Sequence, residues 1–305
     1  MPPQRVTRLL EAANQIILGK DHELRLALTC AIAGGHLLIE DVPGVGKTTL
    51  AHVMARLIGL QFQRIQFTSD LLPADILGVS VFDRDTNAFR FSPGPIFAQL
   101  ILADEINRAT PKTQSALLEA MEEHQVTADG QTFALPEPFF VIATQNPAEQ
   151  IGTFALPESQ LDRFLMRIRL GYPDRGAERA LLMGEDRRGL LARREAVICP
   201  QDLLDLQQAA RQIIATDRLI DYLYALITAT RQHAELAAGL SPRAGLALLS
   251  AARAWALIHG RDYVLPEDVQ AMFIHVTGHR LHLEGDGRPA PPQLLQAIIQ
   301  AVPLI

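Results

Sequence analysis

Apolar positions along the chain follow two regimes, and the change falls near Pro173. Before it, short apolar runs alternate with longer, spaced patterns. His36-Leu-Leu-Ile39, Phe97-Ala-Gln-Leu-Ile-Leu-Ala103, Phe139-Phe-Val-Ile-Ala-Thr144 and Leu165-Met-Arg-Ile-Arg-Leu170 read as strands, the more continuous of them as strands buried on both faces. Residues 61–67 (Gln-Phe-Gln-Arg-Ile-Gln-Phe) alternate with period two and add a further strand. Helical spacing covers residues 5–33, broken at Leu18-Gly19-Lys20-Asp21, and residues 111–123, where Ala116, Leu117, Ala120 and Met121 share a face. Thr68 to Leu77 predicts a short helix at best. Two hairpins are expected. Val79-Ser-Val-Phe82 and Ala88-Phe-Arg-Phe91 flank the polar Asp83 to Asn87, and Gln125-Val-Thr127 and Gln131-Thr-Phe133 flank an Asp129-Gly130 turn. Beyond Pro173 only helical patterns occur, near 176–191, 201–214, 217–237, 242–259, 266–276 and 291–302. The expectation is an α/β domain over 1–173 and a helical domain over 174–305.

Composition narrows the picture. The 305 residues are 48% hydrophobic, enough for a sizeable core. The net charge is −6, and no Lys/Arg block marks a dedicated nucleic-acid surface. Cys30 and Cys199 are far apart and lack metal-ligand spacing; Cys30, within Leu26–Ile32, reads as core. His22, His36, His52 and the other histidines show no paired ligand spacing either. With no signal-like or membrane-length apolar run, the default expectation is a soluble cytoplasmic protein without a membrane span.

The chemistry gathers at strand ends. The run His36–Ile39 leads into Glu40-Asp-Val-Pro-Gly-Val-Gly-Lys-Thr48, and a helical pattern starts at Thr49. A strand, a Gly-rich turn and a helix N-terminus in this order build a phosphate site from backbone N–H groups and the helix dipole. Lys47 can then reach β- and γ-phosphates and Thr48 can hold Mg²⁺. The chain has three lysines, Lys20, Lys47 and Lys112, so Lys47 is not one of many surface lysines. The strict pattern wants Gly at position 41; Asp41 stands there, a residue type that tolerates unusual φ better than most. The strand ending at Ala103 delivers Asp104-Glu105. That pair suits nucleotide hydrolysis, with Asp104 holding Mg²⁺ through water and Glu105 orienting or deprotonating the attacking water.

These residues resemble the AAA+ ATPases and, within them, the MoxR family. The resemblance rests on Asp41–Thr48, Leu102-Ala-Asp-Glu-Ile-Asn-Arg-Ala109, Gln114–Glu123, Ala143-Thr-Gln-Asn-Pro147 and Leu156-Pro-Glu-Ser-Gln-Leu-Asp-Arg-Phe164, and more thinly on Gly239-Leu-Ser-Pro-Arg-Ala244. It implies an α/β fold: a P-loop core with a five-stranded parallel sheet, two β-hairpin inserts and a C-terminal all-α lid. ATP and Mg²⁺ are the implied ligands. Nucleotide contacts would come from Val42, Pro43, Gly44, Val45, Gly46, Lys47, Thr48 and Thr49, with Ile17-Leu18-Gly19 packing on adenine; Thr48 and Asp104 would serve the metal.

Three further roles follow from the resemblance. Asn146 resembles a γ-phosphate sensor, although before Pro147 it also reads as a turn former. Arg163 resembles an arginine finger reaching a neighbouring subunit, its alternative being an ion pair to Asp162 or Glu158. Arg243 resembles the lid sensor: with Ser241 as N-cap and Pro242 as first helical residue it lies in a first turn, where the dipole disfavours a cation unless it faces phosphate. Arg108 could act within a subunit or across an interface. The implied activity is ATP hydrolysis in a homo-oligomeric, hexameric ring that remodels or assembles client proteins, with a von Willebrand factor A domain protein as partner. The alternatives are an ATPase subunit of a metal chelatase, a nucleic-acid motor and a catalytically silent nucleotide switch. The second hairpin, Gln125 to Phe133, carries no Lys or Arg, against phosphate tracking; Glu105 and Arg163 argue against silence.

Overall fold

The structure is a computed structural model that describes every residue except Met1, Thr86, Asp129, 147–151, Glu185, Asp186, Asp286 and Ile305. The expected tip residue Asp129 and the expected motif residue Pro147 therefore lie outside the described residues.

Two helices, α1 (Pro2–Asn14) and α2 (Asp21–Ile32), precede β1 (Leu37–Glu40). Helix α3 (Lys47–Ile58), β2 (Phe62–Gln66) and the short α4 (Pro73–Leu77) follow. Strands β3 (Gly78–Asp83) and β4 (Ala88–Pro93) pair as the first hairpin, then come β5 (Leu100–Asp104) and α5 (Pro111–Glu123). The second hairpin is β6 (Gln125–Ala128) with β7 (Gln131–Ala134), ahead of β8 (Phe140–Gln145), α6 (Glu158–Leu161) and β9 (Met166–Ile168). The remainder is helical: α7 (Arg175–Met183), α8 (Arg187–Ala192), α9 (Pro200–Gln212), α10 (Asp217–Gln232), α11 (Pro242–Ile258), α12 (Pro266–Thr277) and α13 (Pro292–Ala301).

The five central strands form one sheet in the order β2-β5-β8-β1-β9, parallel at every pairing. Chain neighbours β1 and β2 are thus separated by β5 and β8, so the ends of β1, β5 and β8 gather at the middle of one sheet edge. That edge is where ligands bind open α/β sheets.

Period two decides what each face buries. Leu37 and Ile39 join a core shared with α1, α2 and the C-terminal helices, through residues such as Leu206, Leu248 and Phe273, whereas Leu38 joins a second core with Phe67, Leu117 and Phe164. The C-terminal helices are therefore packed continuously with α1, α2 and one sheet face.

Several expected boundaries move: the helix expected over 217–237 ends at Gln232, and the strand over 165–170 shortens to Met166–Ile168. The strand anticipated over 97–103 runs from Leu100 to Asp104, because Pro95–Phe97 turns as a 3-10 helix. That turn resumes the path of α4 after the first hairpin, and the two ends meet closely: a Cβ on Gly94 would lie 2.3 Å from the Ile76 carbonyl oxygen. The pattern over 176–191 is two helices, α7 and α8. The two hairpins touch through Phe91 and Phe133, stacked with centroids 4.1 Å apart. Among the described residues no helix is long and apolar enough to cross a membrane.

Candidate active site

The turn after β1 has two glycines in the left-handed region, Gly44 (φ 85°) and Gly46 (φ 97°). Gly46 is the N-cap of α3, and no side chain caps that helix. Helices α5, α10 and α11 are capped by Thr110, Thr216 and Ser241. The N-cap of α3 thus offers its first-turn N–H groups no side-chain oxygen, a place that a phosphate oxygen would take. Lys47 Nζ rests on the loop itself, donating to the carbonyls of Asp41 (2.6 Å) and Val42 (3.3 Å). A cavity of about 250 Å³ beside the loop is lined by Ile17, Leu18, Gly44, Val45, Gly46 and Thr49 together with Pro173, Leu181 and Arg187. Gly19 is beside it with φ 68°, close enough to α7 that a Cβ would lie 2.8 Å from Ala177 Cβ. The structure thus brings the anticipated adenine segment to the anticipated phosphate loop. Val42 is half-buried and Pro43 is exposed on the same loop.

Asp41 does not use an unusual φ: the described non-glycine residues with positive φ are Asn87, Glu105 and His124. Its carboxylate is a staple instead. Oδ1 accepts the N–H of Val42 (2.8 Å), and Oδ2 accepts those of Leu170 (2.7 Å) and Gly171 (2.6 Å). The phosphate loop is thereby tied to the chain just past β9, near the cavity wall at Pro173.

Asp104 and Glu105 stand where β5 ends, and each is held by neighbouring strands. Asp104 Oδ1 accepts the Thr144 hydroxyl at 2.6 Å, and Oδ2 accepts Arg64 Nη2 (2.6 Å) and Nε (3.1 Å). Glu105 is left-handed (φ 57°), strain of a kind that clusters at functional sites. Its N–H donates to the oxygen of the same Thr144 hydroxyl at 2.9 Å. Its carboxylate accepts Gln66 Nε2 at 2.9 Å and pairs with Arg108 at 3.0 Å, so Arg108 serves its own subunit's carboxylate here. Asn146 is buried just past β8, the strand between β5 and β1.

Arg163 and Arg243 come together although 80 residues of sequence separate them. Glu122, on α5, accepts both: Oε2 pairs with Arg163 Nη2 at 3.1 Å and Oε1 with Arg243 Nη2 at 2.8 Å. Arg163 thus has an acidic partner, but neither of those expected. Ser241 caps α11 as anticipated, accepting the Ala244 N–H at 3.1 Å, with Pro242 opening the helix. The segment bearing Arg163 is fixed by Arg280, whose guanidinium donates to Asp162 Oδ1 (2.7 Å) and to the carbonyls of Asp162 (3.1 Å) and Phe164 (2.7 Å). Among the described residues lining the cavity at the phosphate loop, Arg163 and Arg243 do not occur.

Comparison with known proteins now places the chain. The ATPase family associated with various cellular activities (AAA) matches residues 36–166, and an AAA lid domain matches residues 228–302. Chaperone MoxR1 of Mycobacterium tuberculosis is 41% identical over 97% of this chain and 81% of its own. The chain belongs to the MoxR family of AAA+ ATPases. Protein MoxR of Paracoccus denitrificans is 34% identical over 95% of this chain and 92% of its own. YeaC of Bacillus subtilis, an uncharacterised protein, is 46% identical over 92% and 88% respectively. A crystal structure of a Cytophaga hutchinsonii protein superposes with TM-score 0.89 at 34% identity, covering 100% of this chain and 96% of that one.

For a MoxR-type site the donors fit the implied metal. Thr48 and Asp104 offer hard oxygen atoms, which suit Mg²⁺. No group of three or more His, Cys, Asp or Glu among the described residues could hold a metal ion, so such a cation would depend on the nucleotide's own oxygens. Sequence reasoning did not find Arg64, Gln66, Thr144, Glu122 or Arg280. Each acts through a partner at least 39 residues away; Glu122 and Thr144 lie within motif stretches already noted, but nothing local indicates which side chains they hold.

Proposed function

We propose that this chain hydrolyses ATP to ADP and phosphate with Mg²⁺, in a homo-oligomeric ring whose sites are completed by a neighbouring subunit. The observation that carries the reading is the uncapped N-terminus of α3 behind Gly44, Gly46 and Lys47, on the same sheet edge as Asp104 and Glu105. Val42, Pro43 and Val45 complete the loop, and Ile17, Leu18 and Gly19 supply the base-side wall. Mg²⁺ bound with the triphosphate would neutralise charge developing on the phosphate oxygens. Thr48 and Asp104 are the residues to hold it. Glu105 acts on the attacking water, and Asn146, just past the strand between, contacts that water or the γ-phosphate.

Arg163 and Arg243 share one carboxylate and stay off the cavity at their own phosphate loop. This favours a common role, with both guanidiniums presented to the neighbour's nucleotide, over Arg243 serving its own subunit. The proposed boundary at Pro173 then separates the sheet domain from a helical domain that carries Arg243 to the interface.

Proteins are the proposed clients, with a von Willebrand factor A domain protein as adaptor in the cytoplasm. In support, the first hairpin exposes Val81, Phe82 and Phe89, the last 74% accessible, and the second lacks cationic side chains among its described residues. Exposed apolar surface suits protein contact better than phosphate tracking. A hexamer is the ring size the family suggests.

The test mixes defective rings. Lys47→Ala and Arg163→Ala proteins should each be nearly inactive. Once labelled subunits have exchanged, the mixture should recover part of the ATPase rate, since some interfaces pair an intact loop with an intact finger. Arg243→Ala should behave as Arg163→Ala does. Exchange without recovery would overturn the shared site, and turnover by Lys47→Ala at the wild-type rate would overturn the ATPase assignment.

A further inference from the structure

Asp104 carries a cation already. Its side chain is 11% exposed, and Oδ2 receives both Nη2 and Nε of Arg64. The β2–β5 register sets Gln66 opposite Asp104, and Arg64 two residues earlier shares Gln66's face of the sheet. The guanidinium is not buried: its side chain is 48% exposed and lines a cleft of about 830 Å³ together with Thr48, Thr49, His52 and Arg56. One open cleft thus contains Thr48 and the counter-ion of Asp104.

We propose that Arg64 is a resident counter-ion of the metal-facing carboxylate, displaced from Asp104 Oδ2 when Mg²⁺ enters with nucleotide, and so setting the Mg²⁺ concentration at which the site loads. This inference rests on the reading of Asp104 as a metal residue. A nearly buried carboxylate is costly without a compensating charge, and Arg64 supplies it by a forked contact that a point charge cannot copy. The other oxygen is engaged by Thr144, so the Arg64 side is where a second cation has to compete. Arg64 has somewhere to go: Nη2 also donates to Gln66 Oε1 at 2.8 Å, and the cleft is open to water. A purely architectural ion pair at this exposure would add little to stability and would leave metal affinity untouched.

The measurement is binding, not turnover. A fluorescent, non-hydrolysable ATP analogue at fixed concentration is titrated with Mg²⁺ on wild type, Arg64→Met and Arg64→Lys. Arg64→Met keeps the apolar stem and removes the competitor, so half-saturation should fall to about one-tenth of the wild-type Mg²⁺ concentration, equivalent to ~1.4 kcal/mol. Arg64→Lys should fall between, because a single ammonium replaces the fork. In an Asp104→Asn background, Arg64→Met should produce no further change. An unchanged or higher midpoint in Arg64→Met overturns the proposal, as does a shift that persists without the Asp104 charge. Should Arg64→Met fail to fold, Arg64→Lys decides: a midpoint at or above wild type overturns it. Wild-type protein that binds no analogue at any Mg²⁺ level would overturn the ATPase reading itself. Binding with an unmoved midpoint would overturn only the role of Arg64.

Discussion

Restoring the strict phosphate-loop pattern at position 41 should harm this protein. Asp41→Gly supplies the missing glycine, yet Asp41 is only 8% exposed and its carboxylate receives three backbone N–H groups at 2.6 to 2.8 Å. Two of these, from Leu170 and Gly171, are 129 and 130 residues away and join the loop to the end of β9. Hydrogen bonds to a charged group contribute roughly 1.5–3 kcal/mol each. The Val42 bond is local, and water can partly solvate the freed donors, so the two distant bonds set a loss of about 3–5 kcal/mol. The glycine adds roughly 0.5–1 kcal/mol of backbone entropy where no left-handed φ calls for it. Against a domain stability of about 5–15 kcal/mol, this is large. Urea unfolding should show a lower midpoint at similar slope, with Asp41→Asn intermediate because its single carbonyl oxygen cannot serve both sides. Nucleotide affinity should fall about tenfold, since Lys47 rests on the Asp41 and Val42 carbonyls and the loop loses its anchor. An Asp41→Gly protein as stable as wild type, binding ATP equally well, would refute the staple.

Thr144→Val keeps the buried shape but deletes the hydroxyl between Asp104 and the Glu105 N–H; turnover should drop about 10²-fold with little change in nucleotide affinity, and Thr144→Ser should restore most of it. A matching loss of affinity would contradict that. Burial pushes His36 and His275 from the ordinary 6.5 down to about 4, so the unfolded chain binds more protons between those values. Stability should therefore be full above about pH 6.5 and decline as pH falls toward 4, by at most ~3 kcal/mol per histidine. Urea midpoints from pH 7.5 to 4.5 would show this, and His36→Gln should flatten the slope; a midpoint that rises on acidification would contradict it. Gly94→Ala forces a Cβ to 2.3 Å from the Ile76 carbonyl oxygen and 2.6 Å from the Gly78 nitrogen, so thermal unfolding should register roughly 1–3 kcal/mol of destabilisation. An unchanged melting temperature would mean the hairpin base can open freely.

Much of the architecture is local information. The run into Gly44, Gly46 and Lys47 specifies strand, turn and helix because backbone conformation and helix termini answer to neighbouring residues, and α5 starts and stops at 111 and 123 as its spacing predicts. The hairpins follow from alternation on either side of polar turns, and the all-helical run beyond β9 from the loss of strand patterns. What tertiary structure alone decided is which side chains share a partner. The order β2-β5-β8-β1-β9 sets Arg64 and Gln66 against Asp104 and Glu105, and Thr144 between those two acids. Packing of the C-terminal helices against α1, α2 and β9 carries Arg243 to the carboxylate that already holds Arg163. Asp41 shows the limit most plainly. By sequence it is a missing glycine, but in the fold its carboxylate faces two N–H groups some 130 residues later. Hydrogen bonds act over about 3 Å of space, whereas patterns are read along the chain, so contacts between distant segments exist only once the sheet is assembled.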